Sequence, residues 1–185
     1  MFFFKKRNRF LDSKKGLIVN EKCLVFVNKH PHYQSLNKKL LQDVQAAEYP
    51  AGLSYEDKYC FYAKHSSFGT SSKSIDLVNS WVISLLVYYK DWLENSKLYC
   101  SNSWFAEYGK GDWVDYHDHT PSFFSYVYFI KTPKGSSPLV FSTSGTKIKA
   151  EEGKVVIFPS NMYHYVPKNN CEGRITLACN IDPNK

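Results

Sequence analysis

Long hydrophobic runs are missing from this chain. Its most extended apolar segment, Trp81 to Tyr89, is half of the ~18 residues that a membrane-spanning helix needs, so no membrane span is expected. Paired cysteines are missing too. Five stand alone at positions 23, 60, 100, 171 and 179, and no C-x-x-C occurs. An odd, scattered set argues against a disulfide framework and a cysteine-based zinc site, and fits a reducing compartment. The N-terminus, Met1-Phe2-Phe3-Phe4-Lys5-Lys6-Arg7, puts apolar residues before basic ones, the reverse of a secretory leader. The expected location is therefore the cytoplasm. Internal repeats, low-complexity segments and nucleic-acid-binding motifs are absent as well.

What is present is globular in character. The 185 residues are 43% hydrophobic, 22% charged and 17% aromatic, which excludes wholesale disorder and suits one domain over residues 1–185. The net charge of +7 is spread along the chain as lysines. It reads first as a solvated surface, and second as attraction for an anionic substrate. Charge alone does not make this a nucleic-acid protein, nor does it exclude one.

Periodicity divides the chain near residue 98. The first part, residues 1–97, is a helical and β support region. Leu36, Leu40, Leu41, Val44 and Ala47 recur at helical spacing and predict a helix from Tyr33 to Glu48, closed by Pro50-Ala51-Gly52. A second helix is predicted from Ser74 to Leu93, with Ser74 as N-cap and Asp76 in the first turn. Leu17–Val19, Cys23–Val27 and Tyr59–Lys64 read as strands. From residue 98 to 182 the pattern changes to short β-type runs: Leu98–Tyr108, Phe123–Lys131, Leu139–Ser142, Thr146–Lys149, Lys154–Phe158 and Arg174–Asn180. Turn residues separate them, which predicts an all-β sandwich or barrel with the helices packed on one face.

Three of the six histidines lie in this β part. His117 and His119 form H-x-H, and on a strand residues two apart share a side. His164 follows the apolar run Val155–Phe158 by a short turn. Three protein ligands that leave coordination positions open suit a catalytic metal ion. A carboxylate is the commoner third ligand in non-haem iron centres, so Asp118 is a rival for the place of His119 and requires a kinked chain to take it. His30, His32 and His65 lie in loop-like contexts and are expected at the surface. Ten residues beyond His164, Arg174 and Thr176 alternate onto one face of the last β run. A guanidinium beside a hydroxyl is a carboxylate clamp. Trp113, Tyr116 and Asp118 are candidates for a substrate entrance.

This order of residues resembles the 2-oxoglutarate- and Fe(II)-dependent dioxygenases near the prolyl-4-hydroxylase group. The string Gly153-Lys154-Val155-Val156-Ile157-Phe158-Pro159-Ser160 leading to His164, then Arg174-Ile175-Thr176 and Asn180, is similar to a small clade of oxygenases, many from marine bacteria and their phages. The resemblance covers residues 98–182. It implies an α+β, mainly β fold, a double-stranded β-helix (jelly-roll) barrel with N-terminal helices packed on one sheet. It implies an oxidoreductase, a hydroxylase of an unknown substrate, that uses Fe(II), 2-oxoglutarate and O2 and releases succinate and CO2. Under it His117, His119 and His164 bind iron, and Arg174, supported by Thr176, takes the far carboxylate of 2-oxoglutarate. Tyr108 matches a strand tyrosine that reaches the cosubstrate. A second cosubstrate tyrosine is expected where Phe129 stands, and Tyr126 and Tyr128 fall on the wrong side of the strand to replace it. The substrate is left open among a peptide, a small molecule and a nucleobase. The competing expectations are a cupin-type three-histidine dioxygenase without cosubstrate and a non-catalytic jelly-roll binding protein.

Overall fold

The computed structural model describes residues 2–7, 20–49, 63–86 and 97–184. In chain order the elements are β1 (Phe2–Arg7), β2 (Asn20–Lys29), α1 (Tyr33–Ala46), β3 (Lys64–His65), α2 (Lys73–Leu85), β4 (Leu98–Tyr108), β5 (Val114–His117), β6 (Phe124–Lys131), β7 (Leu139–Phe141), β8 (Thr146–Ile148), β9 (Lys154–Pro159), β10 (His164–Val166) and β11 (Arg174–Pro183). Seven strands form one sheet in the order β1-β2-β9-β6-β11-β4-β3, and four form a second in the order β5-β10-β7-β8. Every pairing is antiparallel. The two sheets face each other as a jelly roll, the fold class expected from the sequence.

The large sheet is covered on both faces, which is why β6 is buried from Phe124 to Ile130 rather than at alternate residues. On its outer face α1 presents Leu36, Leu40 and Val44, and α2 presents Ile75, Val78 and Val82, to Phe105, Tyr126, Tyr128, Val155, Ile157 and Leu177. On its inner face Tyr108, Val127, Phe129, Val156 and Phe158 meet Val114, Leu139, Phe141 and Val166 of the small sheet. Each helix is also bound to β6 by a polar contact. Tyr128 donates to Asn37 Oδ1 at 2.7 Å and Tyr126 donates to Asn79 Oδ1 at 2.6 Å. Both tyrosines therefore face the helices, on the side opposite Phe129.

The predicted elements hold with shifts at their ends. The cap of α2 is Ser72, whose hydroxyl accepts from Ile75 N at 3.1 Å, while Ser74 is buried inside the first turn. The Ser/Thr/Gly-rich loop offers several capping hydroxyls, and the extended backbone of Ser72 decides among them. The predicted end of this helix, the strand at 17–19 and most of that at 59–64 lie outside the described residues. Three strands were not anticipated: β1, which continues the sheet through β2, and the short β5 and β10, which carry the site. Among the described residues no helix is long and apolar enough to cross a membrane, and Cys100, Cys171 and Cys179 are free thiols.

Candidate metal centre and carboxylate clamp

The three histidines of the β part converge. Strands β5 and β10 pair with His117 opposite His164 and Val114 opposite Val166. Three steps along β5 thus match two along β10, and this bulge turns both Val114 and His117 inward. β5 ends at His117, so His119 is not on the same regular strand, as the spacing suggested. It lies in the following turn, where its backbone N–H donates to Ser160 O at 2.8 Å. From these positions the ligand atoms of His117, His119 and His164 all lie within 4.8 Å of one another. His119 Nε2 and His164 Nε2 are 3.2 Å apart. Trp104 stacks on the His119 ring at 5.5 Å between centroids, and Phe158 packs edge-on to His164 at 4.7 Å.

The outer nitrogens explain why the inner ones point at one another. His117 Nδ1 lies 2.8 Å from Asp115 O, His164 Nδ1 lies 2.9 Å from Met162 O, and His119 Nδ1 lies 2.7 Å from Asn180 Oδ1. Each partner is an oxygen acceptor, so each Nδ1 carries the proton and each Nε2 keeps its lone pair. Burial reinforces this neutral state. It lowers the pKa of His117, takes His164 well below its usual value, and with the neighbouring His117 holds His119 at about 4. Three neutral imidazoles with lone pairs facing inward and N–H groups secured outward fit a divalent cation.

Asp118 stays out of this group. Its Oδ1 accepts from Thr120 N at 3.1 Å and from Thr120 Oγ1 at 2.8 Å, which commits it to the turn. Of the remaining histidines none joins the cluster. His32 is exposed, as expected, but His30 and His65 are half-buried, with His30 edge-on to Trp81 at 4.8 Å and His65 against Phe68 at 5.4 Å.

Arg174 opens β11 opposite Tyr108 of β4, and Thr176 stands opposite Phe129 of β6. The guanidinium is fully buried, 4.1 Å above the Tyr108 ring and 5.4 Å from that of Phe129. Its Nε donates to Ser137 O at 3.1 Å, but Nη1 and Nη2 have no hydrogen-bond partner among the described residues. Burial lowers its pKa, and the Tyr108 side chain opposes that shift. A buried cation with two unused N–H edges is costly unless an anion completes it. Arg174, Thr176 and Tyr108 line one cavity with His117, His119 and His164, and Trp104, Ala106, Val127, Leu139 and Ala178 supply apolar walls.

The three candidates for the entrance do not line that cavity. Tyr116 follows the bulge outward, is 57% exposed and packs on Tyr165 at 4.5 Å. Trp113 lies beneath Lys168 Nζ at 5.3 Å from its ring. Asp118 is held in its turn. Residues that the sequence did not single out are the supports: Ser137 beneath Arg174, Asn169, whose Oδ1 receives Ser137 N at 3.0 Å, and the pair Ser125 and Ser160 beside Asn180. The one available signal was alternation, since Arg174, Thr176, Ala178 and Asn180 fall on a single face of β11.

Fold and site together define a double-stranded β-helix with a three-histidine end and a buried arginine. No protein-family model and no curated protein matches the chain. Solved structures do. The chain is similar to the viral collagen prolyl hydroxylase vCPH of Paramecium bursaria Chlorella virus-1 in complex with 2OG, at 16% identity and a TM-score of 0.62, over 84% of this chain and 94% of that one. It is similar to a prolyl hydroxylase of Trichoplax adhaerens in complex with a hypoxia inducible factor peptide fragment, at 15% identity and a TM-score of 0.63, over 85% and 83%. It is also similar to HygX of Streptomyces hygroscopicus with nickel and 2-oxoglutarate bound, at 9% identity and a TM-score of 0.65, over 86% and 83%. At these identities the likeness establishes the fold.

Proposed function

We propose that this chain is an Fe(II)- and 2-oxoglutarate-dependent oxygenase. The observation that carries the reading is the joint presence, in one cavity, of three inward imidazole lone pairs and a buried guanidinium with two unused N–H groups. A cupin-type three-histidine dioxygenase has no need of that arginine, and a binding module has no need of the metal cluster. The likeness to HygX, described with nickel and 2-oxoglutarate, supports the same reading.

His117, His119 and His164 would hold the metal, and Asp118 would not. Bound iron and cosubstrate would supply the oxidising chemistry that converts 2-oxoglutarate and O2 to succinate and CO2 while the substrate is oxidised, most simply by hydroxylation. The chain does the rest. The Nη1 and Nη2 atoms of Arg174 take the far carboxylate as a two-point clamp, and Thr176 Oγ1 adds a third contact. Tyr108 roofs the guanidinium and Phe129 closes the floor with a hydrocarbon face, so one hydrogen bond of the common arrangement is given up. Trp104, Val127, Leu139 and Ala178 exclude water, which strengthens the charge pairing. The neutral third ligand leaves the centre one charge more positive than a two-histidine, one-carboxylate centre.

The substrate class stays among peptides, small metabolites and nucleobases. The test is succinate formation from 2-oxoglutarate with added Fe(II), screened across those classes. Wild-type protein is expected to release succinate above the level of Arg174→Ala, and equal release by both overturns the proposal.

A further inference from the structure

We infer that Asn180 is a positioning residue for the third metal ligand, its side-chain oxygen holding His119 in the one tautomer that turns a lone pair toward the other two imidazoles. The inference rests on the three-histidine reading and extends it to a residue outside the cluster. His117 and His164 are oriented by backbone carbonyls, Asp115 O and Met162 O. A carbonyl only accepts, so those two tautomers are fixed by the main chain. His119 is different, because its Nδ1 faces a side-chain amide at 2.7 Å. An amide presents either an acceptor or a donor, and a half-turn exchanges them. With the amide nitrogen presented, the His119 proton moves to Nε2. An N–H then faces His164 Nε2 across 3.2 Å, and the metal-ligand position is lost.

The surroundings select the productive orientation. Asn180 Oδ1 also accepts from Ser125 Oγ at 3.1 Å, and Ser125 Oγ lies 2.7 Å from Ser160 Oγ. Both serines are fully buried. Ser125 stands opposite Asn180 in the β6–β11 register, and Ser160 O receives the backbone N–H of His119 at 2.8 Å. The loop therefore closes: the His119 backbone, Ser160, Ser125, Asn180 and the His119 ring hold one another. The Ser125 hydroxyl donates to the amide oxygen, and that bond is made only with the oxygen, and not the nitrogen, turned to the side of the imidazole and the serine. An aspartate at position 119 accepts through either oxygen and has no tautomer to set. The role of Asn180 is thus tied to the imidazole at 119, which separates it from a general structural role.

The test uses the full chain in two measurements. Long-range proton–nitrogen correlation spectra of metal-free protein read the tautomer of each imidazole, and titration with cobalt(II) reads metal affinity. Wild type is expected to show Nδ1–H at His117, His119 and His164. Asn180→Leu should change the His119 pattern alone, with unchanged His117 and His164 signals reporting that the fold is intact, and weaken cobalt binding by about 10- to 100-fold. Asn180→Asp, whose carboxylate only accepts, should restore both. In a His119→Asp background the Asn180→Leu change should lose most of its effect. An unchanged His119 tautomer and affinity in Asn180→Leu overturns the inference, and so does an equal loss in the His119→Asp background. Wild type that binds no cobalt overturns the three-histidine reading itself and takes this inference with it.

Discussion

Replacing Arg174 by methionine separates what the residue does for function from what it does for the fold. The guanidinium is fully buried, and its two terminal nitrogens have no partner among the described residues. Replacing a buried ionic group by a hydrophobe of similar volume is often neutral or stabilising by about 1–4 kcal/mol. Against this stand the hydrogen bond from Nε to Ser137 O, worth about 1 kcal/mol, and the contact with the Tyr108 ring at 4.1 Å, worth about 2 kcal/mol when desolvated. The terms nearly cancel, so Arg174→Met should melt close to wild type when no ligand is added. With ligand the two diverge. At 100 times its dissociation constant a ligand stabilises by about 2.7 kcal/mol, which for a chain of this length raises Tm by roughly 5–11 °C. Metal-loaded wild type should show that shift with 2-oxoglutarate. Arg174→Met should show little of it, because truncating one side of a buried charge pair costs about 2–5 kcal/mol. Differential scanning calorimetry with and without 2-oxoglutarate reads both quantities. A variant that melts far below wild type yet keeps the full ligand shift would refute the reasoning and make Arg174 a structural residue.

Other outcomes follow from the same geometry. Asp118→Asn should leave metal binding intact, His119→Ala should lose most of it, and His119→Asp should still bind Fe(II). The opposite pattern in a metal titration returns the third place to Asp118. The histidine pKa values are lowered in the folded state, so their contribution to stability is complete above the unfolded value near ~6.5 and is lost as pH falls toward the value of about 4 held by His119. Thermal melts of metal-free protein should therefore fall steeply between those limits, with a shallower slope in His119→Gln; equal slopes contradict the assignment. Leu40→Ala, at a fully buried position of α1 against the large sheet, should cost about 2–5 kcal/mol in denaturant unfolding while Arg174 and the metal cluster keep their ligand affinities.

Much of this was readable in the chain because the signals were long. The 11 residues of β4 and the eight of β6 are aromatic-rich β-type runs bounded by turns, and the stripe of α1 repeats at helical spacing. The His117, His119, His164 and Arg174 set was readable because each residue type has few other reasons to occur in that order. The remainder depended on contacts between distant segments. β5 and β10 are four and three residues long, too short and too rich in histidine, aspartate and tyrosine to register as strands. The bulge between them reverses the side on which Tyr116 falls, so a residue next to a metal ligand ended on the outer surface. The cap of α2 moved to Ser72 because neighbouring serines carry the same signal and only backbone conformation separates them. Asn180 acquires its role from β6, 55 positions away at Ser125, a pairing that no local pattern reports.

The central claim is that the three histidines and Arg174 act together as one receptor for metal and 2-oxoacid. Calorimetric titration of 2-oxoglutarate into the anaerobic protein, with and without one equivalent of Fe(II), tests it most directly. The account predicts one equivalent bound to the iron-loaded wild type, and binding weakened at least tenfold both when iron is omitted and when Arg174 is replaced. Equal affinity with and without iron, or no binding to the iron-loaded wild type, would contradict it.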